Sequence, residues 1–290
     1  MPLKTSNELL WLNVPEMHRA PAEQSVPLPT ALGGARVNRD PGRSRFYLGA
    51  AVFVIVLNAA GFLPSFIDQS RRVAPPTRLV AAHGALAASW LVFFLVQAIL
   101  ATSGRARIHR RLGILGPFVA MAMIAVGSLM VIDMTRRGHD LSGDIARVAV
   151  APGAPALAGE EFVAGMFPPL QAFVNFGILT GLGLWWRHRP AIHKRLMLLA
   201  LGPLVVTPLI HLSGYLIGGR PDLYGPLNAA IPIVANTLLF AGAVQDKLTS
   251  GRVHPVSLWV PVLLIAETFG LIAAVMPSEG WRRLATWLVS

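Results

Sequence analysis

An unbroken apolar run of about 20 residues is long enough to cross a bilayer as a helix, and this chain repeats such a run seven times. The runs fall at roughly 46–67, 78–102, 111–134, 162–186, 194–218, 225–245 and 256–276. In lipid a segment must satisfy its own backbone donors and acceptors, so each run reads as a helix. The expected fold is therefore all-α, a polytopic integral membrane bundle of about seven transmembrane helices. Only 13% of the residues are charged, against about 25% in soluble domains. The net charge of +11 would point a soluble protein toward nucleic acid. Here the basic residues cluster in short connections between apolar runs, so lipid is the expected partner and nucleic acid is not. The absence of cysteine excludes disulfides, thiolate nucleophiles, iron–sulfur clusters and covalently attached c-type haem.

Three regions follow from this pattern. Residues 1–45 carry prolines at 2, 15, 21, 27, 29 and 41 and no spanning run, which reads as a largely disordered tail. Residues 46–276 hold the bundle. Residues 277–290 include Trp281, Leu284, Ala285 and Leu288 on one helical stripe, with Arg282 and Arg283 placed for lipid head groups, as in an amphipathic helix lying at the interface. Arg36, Arg39, Arg43, Arg45, Arg105, Arg107, Arg110, Arg111, Arg187, Arg189, Lys194, Arg195, Lys247 and Arg252 all fall on one side of the seven-span arrangement. Arg71, Arg72, Arg78, Arg136 and Arg137 fall on the other. The larger group predicts a cytoplasmic N-terminus and a C-terminus outside, in a membrane such as the bacterial inner membrane.

The fifth run has a dense basic start and two histidines, His193 and His211. On an uninterrupted helix their 18-residue separation is about five turns, so both would share one face, roughly 27 Å apart. A second pattern links this run to an earlier one. RARIHRRLGIL at 105–115 and RPAIHKRLMLL at 189–199 share R-x-x-I-H-[RK]-R-L-x-x-L, which predicts a duplicated helical hairpin.

The histidines sort by depth. His83 and His211 fall near the outer side, and His109 and His193 near the basic, inner side. Two imidazoles at matching depth on different helices can ligate the iron of a b-type haem, and cations can hold its propionates. Arg105, Arg110, Arg111 and Lys194 are candidates for that second task, and Gln97 lines the seam of His83. Hydrogen bonding across a helix contact is the plainer role for the same histidines. Glu267 is the one carboxylate placed deep in a span, which makes it the candidate catalytic or proton-relay residue. His139, Asp140, Asp144, Glu160 and Glu161 form an acidic outer loop without a metal-ligand spacing. No Walker or dinucleotide glycine pattern is present, nor H-E-x-x-H or G-x-S-x-G, so nothing points to a nucleotide cofactor.

The block from His83 and Gln97 to Arg105, His109 and Gly113, H-x₁₃-Q followed by R-x-x-x-H-R-R-L-G, resembles an uncharacterised family of bacterial multi-pass membrane proteins. More loosely, residues 78–215 are similar to cytochrome b561-type haem proteins, in which two histidine pairs on four consecutive helices hold a haem near each face. That resemblance implies ligand roles for His83, His109, His193 and His211, although here the fourth span lacks a histidine and the fifth carries two. The expected function is transmembrane electron transfer through one or two b-type haems, a membrane oxidoreductase activity with a quinone or other redox partner. The alternative is a cofactor-free bundle, either a small-solute or proton-coupled transporter or an assembly partner in a homo- or hetero-oligomer.

Overall fold

The computed structural model describes residues 41–72, 74–138, 160–217 and 223–290. The readings made for residues 1–40, for His139, Asp140 and Asp144, and for the side chains of Glu160 and Glu161 lie outside the described parts. The described chain is helical, and no strand occurs among the described residues. Its helices are α1 (Pro41–Ile67), α2 (Arg78–Thr102), α3 (Ala106–Leu112), α4 (Gly116–Arg137), α5 (Glu160–Ala164) and α6 (Phe167–Trp185). They continue with α7 (Pro190–Leu199), α8 (Pro203–Ile217), α9 (Tyr224–Leu239), α10 (Ala241–Ser250), α11 (Pro255–Val275) and α12 (Glu279–Val289). Together they supply seven spans among the described residues.

Besides the turn at residues 165–166 between α5 and α6, three further spans are interrupted rather than continuous. A 3₁₀ turn at Gly113–Leu115 separates α3 from α4. Residues 200–202 separate α7 from α8, with i→i+3 bonds such as Gly202 N–H to the Leu199 carbonyl at 2.9 Å. Phe240 separates α9 from α10. Pro203 explains the second break, because it has no N–H to continue the ladder and favours the first turn of a new helix. This corrects the expectation that the fifth run is one straight helix presenting His193 and His211 on a common face.

The membrane setting changes what holds the bundle together. Lipid tails are as apolar as leucine, so close packing and satisfied polar groups must substitute for the exclusion of water. Pro208 inside α8 frees the Leu204 carbonyl four residues earlier. Asn58 of α1 donates its Nδ2 to that carbonyl at 3.1 Å, and Gly61, one turn further on, lies so close that a Cβ would stand 2.5 Å from the Pro208 oxygen. One helix thus repairs and packs against the kink of another. Gly127 plays a comparable part between α4 and α6, where a Cβ would meet the Phe173 ring at 2.2 Å.

Helices α2, α4, α6 and α7 enclose a central core of Trp90, Ala120, Met123, Phe176, Leu179, Leu196, Leu199 and Ala200. A second cluster joins α1, α2 and α8 through Val54, Leu57, Leu91, Phe94, Leu201 and Val205. Span α11 is the least covered by protein. The last helix, α12, docks on the bundle as well as carrying an apolar stripe. Ala285 is fully buried and packs with Met130, Val131 and Met166, and Trp281 donates Nε1–H to the Ala164 carbonyl at 2.9 Å. Leu284, predicted on the same stripe, is exposed, as is Trp287.

Candidate functional site

The two copies of the basic motif bring their histidines together. His109 comes from α3 and His193 from α7, and their ring centroids are 6.2 Å apart with the planes at 77°. Each imidazole turns its Nδ1 toward the helix that precedes it. His193 Nδ1 lies 2.7 Å from the Gly183 carbonyl near the end of α6, so Nδ1 carries the proton and the lone pair is on Nε2. His109 Nδ1 lies 3.3 Å from the Gln97 carbonyl of α2. The twelve- and ten-residue offsets put both contacts in equivalent places, at the foot of α2 and at the foot of α6.

Gln97 distinguishes the two. With its NH₂ toward His109, the amide donates to Nδ1 at 2.6 Å and to the His109 carbonyl at 3.2 Å, while its oxygen accepts from Gly113 N–H at 3.0 Å. The opposite orientation would set oxygen against oxygen and N–H against N–H. In the favoured orientation His109 Nδ1 accepts and Nε2 holds the proton. The sequence placed Gln97 beside His83; the structure places it beside His109.

The remaining candidates divide clearly. Arg105, Arg110 and Arg111 are exposed on or beside α3, at the end of the bundle that carries the histidine pair. Lys194 is drawn the other way, its Nζ 5.2 Å from the Tyr47 ring of α1. His83 packs edge-on against Phe173 of α6 at 5.7 Å, and its Nδ1 is buried without a hydrogen bond. His211 is only 3% exposed and rests on Phe62 of α1, centroids 4.7 Å apart. Of the outer pair expected from depth, His83 thus packs on α6 and His211 on α1, and the break at 200–202 removes the straight-helix relation between His211 and His193. Among the described residues no cluster of three metal-ligating side chains occurs.

A second polar centre was not visible in the sequence. Arg195, two residues after His193, is 5% exposed and forms a two-pronged ion pair with Asp246 of α10, its Nε reaching Oδ2 at 2.9 Å and its Nη2 reaching Oδ1. Ser257 of α11 accepts from Arg195 Nε at 3.0 Å and donates to Asp246 Oδ2 at 2.7 Å. The backbone N–H of His254 adds a bond to the same carboxylate at 3.3 Å. His254 also caps α11, its Nδ1 accepting from Val256 N–H at 3.1 Å. Burial first, and the Arg195 guanidinium second, hold the His254 imidazole below its ordinary pKa, with Asp246 opposing them. This centre ties α7, and with it His193, to α10 and α11. The sequence signal was a lone aspartate at a span end, which reads equally well as a solvated loop residue.

No protein-family model matches the chain, and no curated protein or solved structure is significantly similar to it. The site must be read from its own geometry.

Glu267 of α11 accepts from Gln171 Nε2 at 2.8 Å and from Asn175 Nδ2 at 3.0 Å, both on α6. In the sequence Gln171 and Asn175 stand as separate polar residues within a span. They lie four apart, one helical turn, and so present one face to the carboxylate.

Proposed function

We propose that His109 and His193 form a paired-imidazole redox site at the basic end of the bundle, holding a b-type haem for electron transfer between a reduced, membrane-soluble donor such as a quinol and an acceptor. The observation that carries this reading is the ring-to-ring approach, at 6.2 Å, of two imidazoles delivered by a repeated motif from separate hairpins. Two rings sharing one metal, each bonded at roughly 2 Å, have centroids about 6 Å apart. Neutral imidazole suits iron, and a backbone carbonyl at Nδ1 is the outer partner that turns Nε2 toward a metal. His193 meets that requirement outright; His109 meets it once its Nδ1 proton is directed to the Gln97 carbonyl. Arg105, Arg110 and Arg111 would supply cations to propionates. When bound, the haem supplies one-electron redox chemistry.

The proposed site is the His109–His193 pair, because its rings approach one another, while His83 packs on Phe173 and His211 on Phe62. Deeper along the same helices Trp90, Phe176 and Ala200 are 1%, 1% and 0% exposed, so the filled core confines any planar group to the mouth of the bundle. By the excess of positive residues that mouth faces the cytoplasm, as in an inner-membrane protein.

The orientation of the Gln97 amide favours a second reading, a metal-free pair. His109 Nε2–H and the His193 Nε2 lone pair are then complementary, as in a proton-coupled transporter or an assembly subunit. A dithionite-reduced minus air-oxidised visible spectrum of the detergent-purified protein, expressed with haem available, decides between them. The expected result is a sharp reduced α-band with one haem per chain, abolished by His109→Ala or His193→Ala and retained in His83→Ala and His211→Ala. A colourless wild-type protein overturns the haem reading and leaves the metal-free pair.

A further inference from the structure

The contact between α6 and α11 holds a carboxylate, Glu267. Among the described residues Glu267 takes part in no ion pair. Its oxygens accept from Gln171, Asn175 and, at 3.3 Å, the hydroxyl of Thr268. Gln171 and Asn175 are 6% and 8% exposed, so their amides are held in protein while α11 turns most of its surface outward. A second feature is independent of the carboxylate: Gln171 Oε1 is buried and has no hydrogen-bond partner. A buried amide oxygen left without a donor is destabilising. Were this amide only a clamp for an anion, half of its capacity would be wasted in a place where waste is expensive.

A proton supplies the missing donor. The three contacts to Glu267 come from N–H and O–H groups, which match the ionised form. The protonated form needs an acceptor for its new O–H, and Gln171 Oε1, on the same amide group, is that acceptor after the amide turns over. We infer that Glu267, Gln171 and Asn175 form a proton-binding site within the membrane, in which Glu267 exchanges a proton and the Gln171 amide matches both of its states. The step is a simple transfer: hydronium gives its proton to the Glu267 carboxylate, leaving water and a neutral carboxylic acid, and the reverse step returns it. No oxidant, reductant or second ligand is involved. The site belongs to α6 and α11 and does not depend on whether the histidine pair holds haem.

Infrared difference spectroscopy of the full-length protein in liposomes, titrated with pH, tests the inference. A carbonyl-stretch band of a protonated carboxyl should grow as pH falls and be missing in Glu267→Gln, a near-isosteric change that keeps the contacts to α6 feasible. In Gln171→Leu and Asn175→Leu, each of which removes a donor to the carboxylate, the band should persist to higher pH than in the wild type. Circular dichroism confirms that each variant is folded. For a variant that is not, labelling of the wild-type protein at Glu267 by dicyclohexylcarbodiimide, read by mass spectrometry, supplies the second measurement, because that apolar reagent adds to the protonated carboxyl. Label on Glu267 that declines as pH rises supports the site. A pH-independent band, no band assignable to Glu267 with no label on it, or a band unmoved in folded Gln171→Leu and Asn175→Leu overturns it.

Discussion

The segments 105–115 and 189–199 share a pattern and differ in what surrounds them, which separates what the motif determines from what its neighbours determine. In both, an Ile-His pair opens a short helix that ends in a break, and the imidazole turns back onto a carbonyl of the preceding helix. The arginine two residues later has opposite fates. Arg111 is exposed, and Arg195 is buried in an ion pair with Asp246. The cause lies outside the motif: α10 and α11 pack over α7 and bring Asp246 and Ser257. The motif sets the histidine; the covering helices set the arginine.

The largest expected difference between the two copies follows directly. Asp246→Ala leaves the Arg195 guanidinium buried without its partner, which typically costs about 3–5 kcal/mol. Arg111→Ala removes an exposed side chain and should stay within about 0.5 kcal/mol. Thermal unfolding of the detergent-purified protein measures both. Replacing Arg195 and Asp246 together with Leu should recover most of the loss, since paired apolar residues can replace a buried ion pair. Equal effects at Arg111 and Asp246 would break the comparison.

This contrast also marks how far the residues could be read in advance. The spans were legible because a crossing demands about 20 apolar residues whatever the contacts. The approach of His109 to His193 was legible because a repeated motif carried both to the same end. The partner of Arg195 was not, since Asp246 lies 51 residues away and a single charge at a span end has no period or spacing to betray it. The pairing of His83 with His211 rested on depth alone, and depth counts residues along a helix, whereas neighbours depend on rotation and on breaks such as residues 200–202. Gln171, Asn175 and Glu267 were each visible, yet their meeting depends on how α6 and α11 rotate against one another, which single residues do not encode.

A smaller effect should distinguish the second copy by its response to acid. Beside Arg195 of this copy stands a further imidazole, His254, whose Nδ1 must stay unprotonated to cap α11. Its pKa is lowered from 6.5 by burial and by Arg195, with Lys194 adding to the depression and Asp246 opposing it. A depressed folded-state pKa means that the unfolded chain takes up the proton first. Stability is therefore full above about 6.5 and falls as pH drops through the lower folded value. The loss should approach that of an N-cap, about 1–2 kcal/mol. His254→Asn keeps a capping oxygen without a titrating group, so the melting temperature should fall less in acid in that variant than in the wild type. Persistence of the full acid response would assign it elsewhere.

The smallest expected effect tests whether the two imidazoles are equivalent toward a metal. Gln97 is an asymmetry at Nδ1 itself, because its NH₂ competes for the Nδ1 lone pair of His109 while His193 Nδ1 lies on the Gly183 carbonyl. Gln97→Glu replaces that donor with an acceptor. The carboxylate would draw the proton of His109 to Nδ1, free Nε2 as a ligand, and still accept from Gly113 N–H. In a haem-binding protein this should tighten retention by about threefold, under about 1 kcal/mol, and lower the reduction potential, because a more basic ligand favours the oxidised metal. Haem loss to an apo-globin acceptor and a potentiometric titration read the two effects. In a metal-free pair the same change sets two Nε2 lone pairs against each other, so the contact between α3 and α7 should weaken and the melting temperature fall. One substitution thus pushes the two readings in opposite directions, through a residue at which the repeated hairpins differ in their hold on histidine.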